Sequence, residues 1–412
     1  MRNRHPELLI PASSLEVLKT AVMFGADAVY IGGEAFGLRA KAKNFSMEDM
    51  KEGVQFAHEH GARVHVTVNI LAHNDDLEGA AEYLKELKEI GPDALIIADP
   101  AIFMLAKEIC PEIERHVSTQ ANNTNYGTFN FWWNLGAKRV VTARELSLKE
   151  IREIRAHIPA EMEIESFIHG AMCISYSGRC LLSNFFTGRD ANQGACTHPC
   201  RWKYSVVEET RPGEYMPVYE NERGTYIFNS KDLCMIEHIP EMIDAGIDSF
   251  KIEGRMKTAL YVATVARTYR KAIDDYLEDP KKYEANMPWY RDQISNCTYR
   301  QFTTGFYFGK PGDESQIYDS NTYIKEYTYL GIIGGIKDGM YRIEQRNKFS
   351  VGETVEIMKL DGQNVEVTVE KIIDEDGQEQ ESAPHPKQVL YVALSGEASV
   401  YDILRRQEDV TE

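Results

Sequence analysis

Gly25-Ala-Asp-Ala-Val-Tyr-Ile-Gly-Gly33 places a glycine before a small residue, then an apolar run, then a glycine stop. With a glycine or a polar residue at the stop, the phrase returns as Gly61-Ala-Arg-Val-His-Val-Thr-Val-Asn69 and Gly91-Pro-Asp-Ala-Leu-Ile-Ile-Ala-Asp99. It returns again as Gly136-Ala-Lys-Arg-Val-Val-Thr-Ala-Arg144 and Gly246-Ile-Asp-Ser-Phe-Lys-Ile-Glu-Gly254. The first three glycines stand 36 and 30 residues apart, the length of one βα unit. Each glycine reads as the residue that ends a helix and turns the chain into the next strand. Helical spacing fills the gaps at Ser46–His60, Leu77–Ile90 and Ser147–His157, the first opening on Ser46…Asp49 and the last on Ser147…Glu150, both capping patterns. Adding Glu7–Ala12, Arg115–Gln120 and Glu163–His169 gives eight apolar strands alternating with amphipathic helices. That order predicts an α/β fold, a (β/α)8 TIM-like barrel with a parallel sheet wrapped by helices.

The period breaks once, between strand 7 near Gly170 and strand 8 near Ser249, where a Cys-rich insertion is expected. Trp202–Val207 and Gly224–Phe228 read as a hairpin inside it. The barrel is assigned to 1–170 and 246–285, the insertion to 171–245, and a polar linker with the aromatic segment Phe302–Phe308 to 286–320. The tail, 321–412, carries turn pairs at Gly334-Gly335, Asp338-Gly339, Asp361-Gly362 and Asp376-Gly377 and reads as a small C-terminal β-barrel domain.

The chain has 412 residues, 43% hydrophobic and 27% charged, with 46 basic against 64 acidic side chains and a formal charge of −18. These values exclude a disordered or fibrous chain, and an anionic partner must be met by local positive charge. The longest near-apolar stretch, Ala94–Ala106, contains Asp99 and is too short for a bilayer. No membrane association and a cytoplasmic location are expected. Cysteines are then free thiols, metal ligands or catalytic groups before they are disulfides.

Five of the seven cysteines fall within 62 residues, and Cys173, Cys180, Cys196 and Cys200 form a C-x6-C-x15-C-x3-C set. Four thiolates suit an iron–sulfur cluster or structural zinc, and ordinary buried cysteines remain the plainer reading for Cys110 and Cys297. Polar residues at strand ends of such a barrel face the site: Arg39, Asn69, Asp99, Gln120, Asn122, Arg144, Glu145, Glu165, His169, Lys251, Glu253 and Arg255. Several arginines and a lysine favour an anionic ligand. Beside them Glu165 and Glu253 are candidate bases, while the same set also fits a salt-bridge layer capping the barrel. Basic clusters at Arg39–Lys43, Cys200–Lys203 and Gly254–Lys257, with Trp202 and Tyr204, offer charge and rings to an exposed base. His58-Glu-His-Gly-Ala62 lacks the second histidine of a zinc-protease helix, and no G-x-S-x-G elbow occurs.

Glu165-Ser-Phe-Ile-His-Gly-Ala-Met-Cys173, Tyr176-Ser-Gly-Arg-Cys180-Leu-Leu-Ser183, Cys200-Arg-Trp202, Asn229-Ser-Lys-Asp-Leu233 and Lys251-Ile-Glu-Gly-Arg255 together resemble the collagenase-like peptidase U32 family. Within it the chain is most similar to the tRNA uridine 5-hydroxylation type. The resemblance implies a [4Fe-4S] cluster on Cys173, Cys180, Cys196 and Cys200, with Cys234 as an alternative fourth ligand and zinc as the alternative metal. It also implies prephenate, a small dicarboxylate, as co-substrate, tRNA as partner, and a related subunit or a homo-oligomer. Glu165, His169, Lys251 and Glu253 are then the candidate catalytic residues, and Arg39, Asn69, Gln120, Asn122, Arg144 and Arg255 the candidate substrate-binding ones. The rival expectations are a peptidase, as the family label says, and a zinc-stapled scaffold that binds RNA or a partner.

Overall fold

The computed structural model describes residues 5–34, 36, 44–173, 175–202, 231–296, 301–310 and 327–408, together with four short strand pieces between 206 and 225. Seven parallel strands lead: β1 (Glu7–Pro11), β2 (Ala28–Gly32), β3 (Arg63–Val68), β4 (Ala94–Ile97), β5 (Glu114–Val117), β6 (Arg139–Val141) and β7 (Glu163–Gly170). Between them run α1 (Leu15–Met23), α2 (Met47–Glu59), α3 (Asp76–Ile90), α4 (Pro100–Ile109), α5 (Tyr126–Leu135) and α6 (Leu148–His157). The eighth barrel strand, counted after the insertion, is β13 (Ser249–Ile252). It pairs in parallel with β7 on one side and β1 on the other, which closes the barrel.

Local chemistry sets these boundaries. Gly25, Gly61, Gly91, Gly136 and Gly246 all have positive φ, between 72° and 103°, the helix-ending role expected of them. At Ser147 the hydroxyl accepts the Glu150 N–H while the Glu150 carboxylate accepts the Ser147 N–H, a reciprocal cap that spares two backbone donors. Asp99 caps α4 through the N–H groups of Ala101 and Ile102. It therefore serves the helix, as a strand-end carboxylate followed by Pro100 is suited to do.

Within the insertion, α7 (Leu182–Thr187) is followed by β8 (Val206–Val207) paired with β9 (Tyr215–Met216), and β10 (Glu220–Asn221) paired with β11 (Gly224–Thr225). In the described parts of the expected hairpin, Val206–Val207 thus pairs with Tyr215–Met216 and Gly224–Thr225 with Glu220–Asn221 rather than with each other. Arg39, Lys41, Lys43, Lys203, Tyr204 and Cys297 lie outside the described residues. The barrel also reclaims the end of the expected insertion. Strand β12 (Asp232–Cys234) adds antiparallel to the end of β7, and α8 (Ile239–Asp244) fills the helical place before β13.

Helix α9 (Ala259–Glu278) is followed at once by α10 (Pro280–Ser295), where the sequence reading has polar linker from 286. Asp279 caps α10 with Pro280 in its first turn, and only Tyr283, Tyr290, Gln293 and Ile294 are buried. So sparse an apolar face hides the helix. Strand β14 (Phe302–Thr303) pairs with β12, and the Tyr307 hydroxyl donates to the Phe167 carbonyl on β7.

The C-terminal strands are β15 (Tyr327–Lys337), β16 (Met340–Glu344), β17 (Thr354–Met358), β18 (Asn364–Asp374), β19 (Glu379–Gln380), β20 (Val389–Leu394) and β21 (Ile403–Gln407). They pair antiparallel in the order 17-21-15-16-20-18-19, and a β17–β18 ladder closes the sheet around its own apolar core. Arg267 of α9 joins the two parts by donating to the carbonyls of Lys359 and Gln363 and to Asn364. Among the described residues no helix is long and apolar enough to cross a membrane.

Candidate active site

Inside the barrel an apolar patch of Leu9, Ala28, Tyr30 and Ile96 sits beside buried charge. Arg139 of β6 binds Glu7 of β1 and Glu163 and Glu165 of β7, and Lys251 of β13 donates to Glu165 at 2.6 Å. Burial alone raises a carboxyl pKa, but Arg139 outweighs it and holds Glu7 far below the usual carboxylate range. Burial likewise opposes the charge on Arg139, and Glu7 with its neighbours outweighs it, so Arg139 stays charged. Against this network lie His65 and His116, both kept neutral chiefly by burial. Their nitrogens and a Glu165 oxygen lie within 4.8 Å of one another, the one such set of ligand-type side chains among the described residues. Both Glu165 oxygens are already held by cations, so the trio belongs to the polar core of the barrel.

Above that core, at the C-terminal ends of the strands, a cavity of about 370 Å³ opens. Cys173, Cys180, Cys196 and Cys200 form one side of it; Asn69, Gln120, Arg144, Lys251, Glu253 and Arg255 line the other. The four thiols and six of the twelve polar residues named from the sequence therefore share one space. The cysteine loops are bound to the barrel mouth by short polar contacts. Arg144 donates to the Ala171 carbonyl at 2.7 Å, Asn122 to that of Ser177 at 2.9 Å, and the Leu71 N–H to that of Asn192 at 3.4 Å. Gly178 has a φ of +72° and lies so close to Gln120 that a Cβ would fall 2.8 Å from its Oε1. A left-handed turn and a close approach coincide there, and only glycine satisfies both.

The cations are oriented as well as gathered. Arg144 lies 4.4 Å over the Phe167 ring and Lys251 4.4 Å over that of Tyr30, and Arg255 donates to Thr67 at 2.9 Å. Buried polar atoms without a hydrogen-bond partner among the described residues include Oε1 of Gln120 and Nε of Arg144 and Arg189. Such atoms carry a desolvation cost that a polar ligand relieves. Arg189 was missed by strand-end reasoning because it sits in the insertion, although its place between Cys180 and Cys196 is a usable signal.

Other nominated residues lie elsewhere. Glu165 points into the barrel core, and His169 packs edge-on to Tyr269 of α9, where burial lowers its pKa to about 3. It does not line the cavity. A bulge between Lys251 and Ile252 shifts the β7–β13 register beside it, and strand alternation misses such shifts. Asn122 supports the Ser177 loop, and Glu145 lies outside the lining. Cys234 is packed against the Tyr269 hydroxyl, its thiol pushed up to about 11 by burial, and it lines a different cavity with Phe302 and Phe308.

The chain is 43% identical over 405 residues to tRNA hydroxylation protein P1 of Bacillus subtilis, covering 98% of this chain and 95% of that one. It is 42% identical over 305 residues to an uncharacterized protease of Methanocaldococcus jannaschii, covering 73% of each. It is 41% identical over 273 residues to a 23S rRNA 5-hydroxycytidine synthase of Escherichia coli, covering 66% of this chain and 40% of that one. The model of peptidase family U32 matches residues 13–317, and that of the family's C-terminal domain matches 325–405. With both models matched along most of its length, the chain belongs to peptidase family U32.

Proposed function

We propose that this chain hydroxylates RNA at C5 of a pyrimidine, the wobble uridine of tRNA, with a [4Fe-4S] cluster on Cys173, Cys180, Cys196 and Cys200 and prephenate as co-substrate. The observation that carries the reading is one cavity in which four thiols face a cationic barrel mouth. The names of relatives that match most of the chain support RNA hydroxylation as the reaction class.

The donor set suits the cluster. The four cysteines are exposed or half-buried rather than locked in the core, and the His198 N–H donates to the Cys196 sulfur at 3.4 Å. Hydrogen bonds to sulfur tune such clusters. A cluster held by these four cysteines would supply electron transfer.

The chain's own residues supply binding and proton handling. Arg144, Arg189 and Arg255 are the forks for a dicarboxylate. Gln120 and Asn69 present amide groups to the edge of a uracil ring, and the cavity size suits a base with a small co-substrate. Glu253 is the carboxylate in the lining and the candidate base of the site. A peptidase would pair His169 with Cys173, yet that ring packs edge-on to Tyr269 outside the cavity.

Mass spectrometry of tRNA nucleosides tests the reading. A strain lacking the gene is expected to lose the modifications built on 5-hydroxyuridine, and complementation with Cys173→Ser is expected to fail. Unchanged nucleosides in that strain overturn it.

A further inference from the structure

Beside the cavity, the cysteine segment presents rings outward. Phe185 is 82% exposed, Leu181 66% and Trp202 43%. Phe185 meets Phe186 edge-on at 5.2 Å, and Phe186 lies 6.5 Å from Trp202. This is an unusual load for α7, a six-residue helix that buries only Ser183 and is too short to hold itself. It is anchored through Ser183 and Thr187: Ser183 accepts the Thr197 N–H at 3.0 Å, and the Thr197 hydroxyl lies 3.0 Å from that of Ser183 and 3.4 Å from that of Thr187. Thr197 follows Cys196 directly, so the exposed rings ride on the cysteine loop.

Charge says what covers them. Residues 171–202 hold Arg179, Arg189 and Arg201 against the single acid Asp190, in a chain whose net charge is −18. A second copy of so acidic a chain is repelled on average, whereas a polyanion is drawn to this segment. Flat rings flanked by arginines match the way unpaired bases are held, by stacking without sequence readout.

We propose that Leu181, Phe185, Phe186 and Trp202 form a stacking platform for the unpaired nucleobases of an RNA loop, holding the neighbours of a base turned into the cavity. The proposal rests on the RNA-hydroxylation reading and deepens it. Turning a base out of its stack leaves its neighbours without partners; the platform replaces what they lose.

The probe is a fluorescently labelled tRNA anticodon stem–loop, followed by anisotropy on the full chain purified anaerobically, with a blunt RNA duplex of equal charge as control. Phe185→Ala combined with Trp202→Ala is expected to weaken stem–loop binding by on the order of tenfold or more and to leave the weaker duplex binding unchanged. Phe185→Tyr retains a ring and is expected to bind as the parent does. Phe185→Ala alone removes an exposed side chain, so its melting temperature and iron content should match the parent and exclude misfolding. Equal stem–loop affinity in parent and double variant overturns the platform. So does a double variant that sediments as a smaller species than the parent, which assigns the rings to a contact between copies. If tRNA nucleosides are unchanged in the deletion strain the reaction reading falls, whereas the anisotropy series reports on the platform by itself.

Discussion

Glu165 and Glu253 sit one strand apart at the same barrel and do different work. Glu165 is fully buried with Arg139 and Lys251 on its two oxygens, so it fixes charge in the core; Glu253 borders the cavity. His169 shows the same separation of packing from chemistry. Its pKa lies near 3 against the usual 6.5, because burial disfavours the charged ring. Between those two values the unfolded chain binds a proton that the folded chain refuses, so stability is complete above about pH 6.5 and falls as the pH drops toward 3. The slope is about 1.4 kcal/mol per pH unit for one such histidine, and His65 and His116 act with the same sign. Urea unfolding measured from pH 7 to pH 4 should show this loss. His169→Phe should flatten it by one proton; an unaltered slope would contradict the assignment.

At the scale of elements, β7 organises the site. It completes the barrel through β13, continues upward to pair with β12, and at Gly170 hands the chain to the cysteine segment three residues before Cys173. Gly170 has a φ of +107°, and a Cβ there would lie 2.5 Å from the Glu253 carbonyl. Gly170→Ala therefore strains its own backbone and displaces Glu253. A loss of about 1–3 kcal/mol is expected, read by thermal unfolding, together with weaker RNA hydroxylation. Retained stability would show that the close approach is relieved elsewhere.

Much of this scaffold was legible beforehand. Glycine-led strands and the caps at Ser46 and Ser147 follow local rules, and spacing picks out four cysteines that line one cavity. What stayed hidden depends on tertiary context. Helix α10 shows too little apolar surface to reveal its period, the turn of His169 out of the barrel comes from a register shift, and Arg189 reaches the cavity from a loop.

At the scale of the molecule, a network of opposite charges holds the first, sixth, seventh and eighth barrel strands together through Glu7, Arg139, Glu163, Glu165 and Lys251. Arg139→Met leaves three carboxylates without their shared cation, two of them partly buried and one wholly so. Removing one partner from such a buried set costs about 3–5 kcal/mol, and the midpoint of urea unfolding should fall accordingly. A midpoint like the parent's would mean that solvent reaches the barrel interior.

The same network sets an order of assembly. Lys251 is synthesised after Cys200, so the ribosome releases all four thiols while Glu165 still lacks one of its cations and the ring of strands is open. The cysteine segment thus emerges on an unfinished scaffold, and its loops are free to order before the ring of strands that borders the same cavity has closed.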